Sequence, residues 1–218
     1  MNALDNIWFR GLLTAGLLFG AQGCETIEGS GRAASEQREV PSFSHVLVRA
    51  GLRANVRPGP QSVVVTGDDN IVPHVLTNVR GSVLTIEPEL DFDPVVPLSI
   101  SVSAPELNGA SLEAGGRLDV SELDAEAFSL ELNAGGKIVA SGRVRHLDVS
   151  LSAGGTLDAT AIASPTVTLW SSAGGNVLVT ALEEVSGAIE SGSEAWIYGS
   201  PARRDVRTRS GGEVSYLE

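Results

Sequence analysis

Ala114-Gly115-Gly116-Arg117-Leu118-Asp119-Val120 returns as Ala134-Gly135-Gly136-Lys137-Ile138-Val139-Ala140 and again as Ala153-Gly154-Gly155-Thr156-Leu157-Asp158-Ala159. Further copies start at Ala173-Gly174-Gly175, Ser191-Gly192-Ser193 and Ser210-Gly211-Gly212. Subtracting the six starting positions gives steps of 20, 19, 20, 18 and 19 residues. That regularity is the signature of a solenoid in which one repeat makes one coil.

Working outward from each glycine pair, apolar and polar residues alternate. Leu118, Ile138, Leu157, Val177, Ala195 and Val214 occupy one aligned position, and Val120, Ala140, Ala159, Val179, Ile197 and Tyr216 stand two further on. The same alternation precedes the turn, as in Leu130 and Leu132 or Val149 and Leu151. Period two means strands with one face buried. The glycines fit a corner, where a positive φ or the stacking of backbone on backbone excludes a Cβ. Coils stacked in parallel at about 4.8 Å place six of them over roughly 24 Å. Low aromatic content, 5%, and 25 glycines in 218 residues agree with a thin core of small and branched side chains. The expectation is an all-β parallel β-helix with coils of about 19 residues. Residues 106–218 form the six regular Gly-rich repeats and 42–105 the capping or first coils, with Pro88, Pro94, Pro97 and Pro105 in the connections.

The ordered succession of these turns resembles the putative auto-transporter adhesin, head GIN domain family. It is preceded by the Phe43 to Val48 strand, by Ser62-Val63-Val64-Val65-Thr66-Gly67-Asp68-Asp69-Asn70 and by Gly81-Ser82-Val83-Leu84-Thr85-Ile86. The resemblance runs from about Val40 to the C-terminus, and the fifth turn, with Ser193 in place of the second Gly, is its visible departure. It implies a right-handed β-helix on a bacterial envelope protein and an adhesion role without a defined ligand.

Gly11 to Gln22 is an apolar run too short to span a bilayer but suited to a signal-peptide core. It ends at Ala21-Gln22-Gly23-Cys24, small residues before the only cysteine of the chain. Residues 1–23 read as a lipoprotein signal peptide and Cys24 as the lipidated N-terminal residue, with ordinary secretion and an unmodified Cys24 as the alternative. Residues 24–41, rich in Gly, Ser, Ala and charge, read as a flexible tether. The folded domain would occupy 42–218.

With Cys24 bearing lipid, neither a disulfide nor a cysteine metal site can form. A net charge of −12 argues against nucleic acid and anionic lipid head groups as partners. Asp119 and Asp158 fall in one outward column two coils apart, with Val139 between them, and no third group completes a hydrolytic pair. His45, His74 and His146 lack ligand spacing, and Glu89, Asp91 and Asp93 lack that of a calcium loop. Gly115-Gly116-Arg117-Leu118-Asp119 and Gly154-Gly155-Thr156-Leu157-Asp158 imitate a calcium repeat, but the aspartate is missing from the remaining coils. No cofactor, metal or catalytic residue is assigned.

What distinguishes the outward positions is apolar. Leu178 and Trp196 share a column in adjacent coils, and parity also turns Trp170 and Tyr198 away from the core. These four are the candidate contacts for an unknown protein or glycan ligand, or for self-association. A second column runs Arg117, Lys137, Thr156, Asn176, Glu194, Glu213, and Arg209 aligns with Glu190 of the coil before it. The reading is a non-enzymatic adhesion or interaction module, lipid-anchored in the cell envelope and placed at the outer membrane. The alternatives are a periplasmic sensor or assembly partner for another envelope protein, and a carbohydrate-active β-helix enzyme.

Overall fold

The alternating segments become strands that stack coil on coil. A computed structural model describes residues 26–218, of which the leader and Cys24 are not part. The molecule is 70% strand and forms a parallel β-solenoid of about 5 turns. The chain begins with β1 (Thr26–Glu28), β2 (Ala33–Gln37), β3 (His45–Arg49), β4 (Arg53–Pro58) and β5 (Ser62–Asp68). A 3-10 turn (Val72–His74) leads into β6 (Val75–Arg80), β7 (Val83–Pro88), β8 (Asp91–Asp93), β9 (Ser99–Ala104) and β10 (Gly109–Glu113). Four long bent strands each wrap most of a coil: β11 (Arg117–Asn133), β12 (Lys137–Ser152), β13 (Thr156–Ser172) and β14 (Gly175–Glu190). The last turns are β15 (Ser193–Tyr198), β16 (Arg203–Arg209) and β17 (Glu213–Leu217).

Parallel pairing brings the aligned apolar residues into ladders. Leu118, Ile138, Leu157, Val177 and Ala195 pair in register, each 1% exposed or less. Across the core, Leu112, Leu132 and Leu151 stack in the same way, and Ser171 and Ile189 continue their column.

Each corner depends on backbone that L-residues avoid. Ala114, Ala134, Ala153 and Ala173 sit at φ of +58 to +64, so the residue before the glycines is left-handed as well. Such a conformation disfavours a Cβ by about 1–2 kcal/mol. The coil-to-coil ladder holds it, with the Ala114 and Ala134 N–H groups donating to the Asn133 and Ser152 carbonyls at 3.0 Å. The two glycines serve different ends. A Cβ on Gly135 or Gly154 meets nothing within 4 Å, whereas one on Gly155 would lie 2.8 Å from the Gly136 carbonyl oxygen and 2.9 Å from Leu132 Cδ2. In the fifth corner only Ser191 and Gly192 take positive φ, which lets Ser193 carry its side chain.

Ala50-Gly51-Leu52 is a corner of this second kind, with φ of +52 and +76 at its first two residues. It joins β3 and β4, which pair with β10 and β11. It hides from the repeat because Ala50 and Ala114 are 64 residues apart. The intervening insertion places β7 outside β3 and β9 outside β4, and it adds antiparallel β5 and β6 at the end of the stack.

The expectation of a flexible tether up to residue 41 is corrected. β1 pairs in parallel with β8, and β2 pairs antiparallel with β5 from Ala33↔Asp68 to Gln37↔Val64. β5 would otherwise present an open edge of unpaired amides, and β2 satisfies it. Asp68, fully buried, accepts from the N–H groups of Gly31 at 2.7 Å, Val95 at 3.0 Å and Val96 at 2.9 Å. Gly, Ser and charge are a tether's composition, but here they leave the backbone free to dock.

Candidate functional site

Parity separates outward from inward side chains, but the corner then turns one outward face away from the other. Leu178 pairs with Trp196, and Thr180 in the same coil pairs with Tyr198. Leu178, Trp196 and Tyr198 thus share the face that follows the corner, each half-buried. Trp170 lies before its corner, in register with Ser150 on one side and Ala188 on the other. The structure therefore brings three of the four sequence candidates together and sets Trp170 on a different face. It is also the most exposed of the four, at 57%.

A cleft of about 330 Å³ lies beside Trp170, bordered by Thr168, Ser186, Ala188, Arg207 and Arg209. Ala188 pairs with Arg207, so Trp170, Ala188 and Arg207 are successive rungs of one column. Arg209 does stack on Glu190, with 3.8 Å between guanidinium and carboxylate, and Arg207 stands at the same distance from Asp205. The sequence reading missed Arg207 as a neighbour of Trp170. The signal was present, because counting back one coil from Arg207 gives Ala188 and a second gives Trp170.

Asp119 and Asp158 are in the expected column, both in register with Val139, and both are engaged. Arg117 grips Asp119 through two hydrogen bonds of 2.7 and 2.6 Å, and this pairing raises the guanidinium pKa. Asp158 accepts from the Thr160 hydroxyl at 2.7 Å. Such self-contained carboxylates are poorly placed for acid and base work on a substrate. The histidines are dispersed: His74 pairs with Glu89 at 2.8 Å, His146 approaches Glu126 at 4.0 Å, and His45 meets the Ser111 hydroxyl at 2.9 Å. Burial lowers the His45 pKa, with Glu131 acting in the opposite direction. Among the described residues no group of three His, Cys, Asp or Glu side chains is arranged to hold a metal. Asp91 and Asp93 lie on β8.

The charged column that follows the corner is in register, and Arg53 extends it ahead of Arg117 and Lys137. Beyond Thr156 and Asn176 it ends in Glu194 and Glu213. A second cavity, about 510 Å³, lies between the Ala50-Gly51-Leu52 corner and the β8 connection, with Arg53, Phe92 and Leu98 in its wall.

The family model described as putative auto-transporter adhesin, head GIN domain, matches residues 42–201. A putative adhesin of Bacteroides fragilis NCTC 9343 superposes with a TM-score of 0.68 at 16% identity, covering 88% of this chain and 100% of that one. A putative lipid binding protein of Parabacteroides distasonis ATCC 8503 gives 0.58 at 15% identity over 89% of this chain and 100% of that one. A putative adhesin of the same organism gives 0.51 at 18% identity over 88% and 100%. At these identities the likeness is one of fold. No curated protein matches the sequence.

Proposed function

Because the chain belongs to the putative auto-transporter adhesin, head GIN domain family, we propose that it is a non-enzymatic adhesion module anchored to the outer membrane through a lipidated Cys24. Its flat outer faces make the contacts, Trp170 on one and Leu178, Trp196 and Tyr198 on the other. The observation that carries this reading is Trp170, a large aromatic 57% exposed on a rigid sheet whose core does not need it. Exposed aromatics on a fixed frame make good contact anchors because little side-chain freedom is lost on binding. The relatives that share the fold are named as adhesins or as a lipid binding protein, and none as an enzyme. Asp119 and Asp158, each committed to a neighbour in its own coil, fit a role without hydrolysis.

The test is protease accessibility on intact cells, with a Cys24→Ala variant beside the unaltered protein. Surface display predicts that external protease removes the domain and that the variant is released in soluble form. A domain protected until the outer membrane is opened would overturn the adhesion reading.

The last described strands favour a second reading, a periplasmic assembly partner. Among the described residues, strands β16 and β17 each have one neighbour, β14 and β15, so a further strand from another envelope protein can continue the stack. Protection on intact cells is the result this reading predicts.

A further inference from the structure

We propose that the cleft beside Trp170 binds a neutral polysaccharide, with the indole stacked on one sugar ring and the Arg207–Asp205 and Arg209–Glu190 pairs exchanging hydrogen bonds with its hydroxyls. This rests on the adhesion reading and supplies its ligand class.

The frame around the indole is small and polar. Ser150 and Ala188 are its neighbours in the column, and Thr168 and Ser186 border the cleft, so the ring stands clear of the sheet. Trp170 and Arg207 are two rungs apart, about 10 Å at the backbone, and Ala188 floors the gap between them. One pyranose ring fits there, in a cavity of about 330 Å³. The C–H bonds on one side of such a ring carry partial positive charge and pack on the negative face of an aromatic system.

Charge decides between a neutral and an acidic glycan. Two guanidinium groups and two carboxylates share the lining, which sums to zero. Both ion pairs are long, 3.8 Å, and their Arg side chains are 71% and 68% exposed, so each is weak and opens readily to a hydroxyl that donates and accepts at once. An acidic sugar would face Asp205 and Glu190 at short range and a chain of net charge −12 at long range. A protein partner fits less well. None of the other exposed large apolar residues, Val95, Leu182 and Leu217, lines the cleft, so the lining lacks the apolar centre of a protein interface. The face continues past Ser150 to Asp148 and Glu131, a polar strip along which a polymer can extend from coil to coil.

The experiment is isothermal titration of the purified full chain with short gluco-, manno-, galacto- and N-acetylglucosamine oligosaccharides, and with an oligogalacturonide as the charged counterpart. At least one neutral probe is expected to bind. Trp170→Ala should weaken that binding about tenfold, which is the expected scale for loss of one stacked ring. Arg207→Gln should weaken it severalfold, and Leu182→Ala, exposed but outside the cleft, should leave it unchanged. The inference is overturned if no neutral probe binds at millimolar concentration, if the oligogalacturonide binds more tightly, if Trp170→Ala binds as well as the parent, or if Trp170 instead mediates self-association. Cell attachment by the same variants separates the two levels. Attachment lost in Trp170→Ala without any sugar binding removes the ligand class and leaves adhesion standing. Sugar binding lost in Trp170→Ala without any effect on attachment removes the cleft from adhesion.

Discussion

Single residues govern this fold through the presence or absence of a Cβ. Gly115 has φ of +85 and open space around it, so Gly115→Ala should lose about 1–2 kcal/mol, the penalty of the left-handed conformation alone. Gly116 has φ of +96, and an added Cβ would collide with the Leu52 carbonyl oxygen and lie 2.8 Å from the Gly51 carbonyl carbon. Gly116→Ala should therefore cost about 3 kcal/mol or more, because backbone of the preceding coil must move as well. Urea unfolding of the two variants decides it, and equal losses would mean that the coils are not held as closely as described. Asp68 acts by its partners. Asp68→Ala strands three backbone N–H groups and should cost about 2–4 kcal/mol, while making the segment before residue 41 sensitive to protease. Unchanged stability together with an intact N-terminal segment would contradict the clamp.

Among the elements, β2 and β3 show how side chains answer to their sheet neighbours. On β3 the His45 ring lies over Gly109 of β10, where any Cβ would collide with it, and reaches Ser111. Burial holds the imidazole below its ordinary pKa of 6.5, and Glu131 opposes that shift without cancelling it. The folded chain thus binds fewer protons here than the unfolded chain as the pH falls through 6.5. The stability of the neutral ring is present above that pH and is lost on acidification. Melting temperature measured between about pH 8 and pH 5 should fall less steeply for His45→Gln than for the parent. Parallel curves would show that His45 contributes nothing to the pH dependence. β2 teaches a different lesson: its sequence, Ala-Ala-Ser-Glu-Gln, carries no β signature, and it is a strand because β5 offers an edge to complete.

For the whole molecule, the two ends of the solenoid differ. One end is closed by antiparallel β2 and β6, and at the other, among the described residues, β16 and β17 have one neighbour each. The docking of β1 also alters the proposed anchoring. Thr26 is already paired with β8, so a lipid on Cys24 would hold this end within a few residues of the bilayer instead of at the end of a long tether. Adhesion would then act close to the membrane, through faces that run along the solenoid axis. Of the candidate contacts, the outward direction of Trp170, Leu178, Trp196 and Tyr198 was legible from parity. Their division between two faces was not, because the corner that separates Trp170 from Leu178 redirects everything after it.

The sequence by itself determined the coil length, the ladder of core residues from Leu118 to Ala195 and the family. Each is encoded within one repeat and restated by the next, so short-range pattern suffices. Only the tertiary structure decided that Ala50-Gly51-Leu52 is a corner, that Thr26–Glu28 and Ala33–Gln37 are strands and that Arg207 faces Trp170 across Ala188. These depend on which chain segments become neighbours across an insertion or an open edge, and backbone pairing imposes that from outside the segment's own composition.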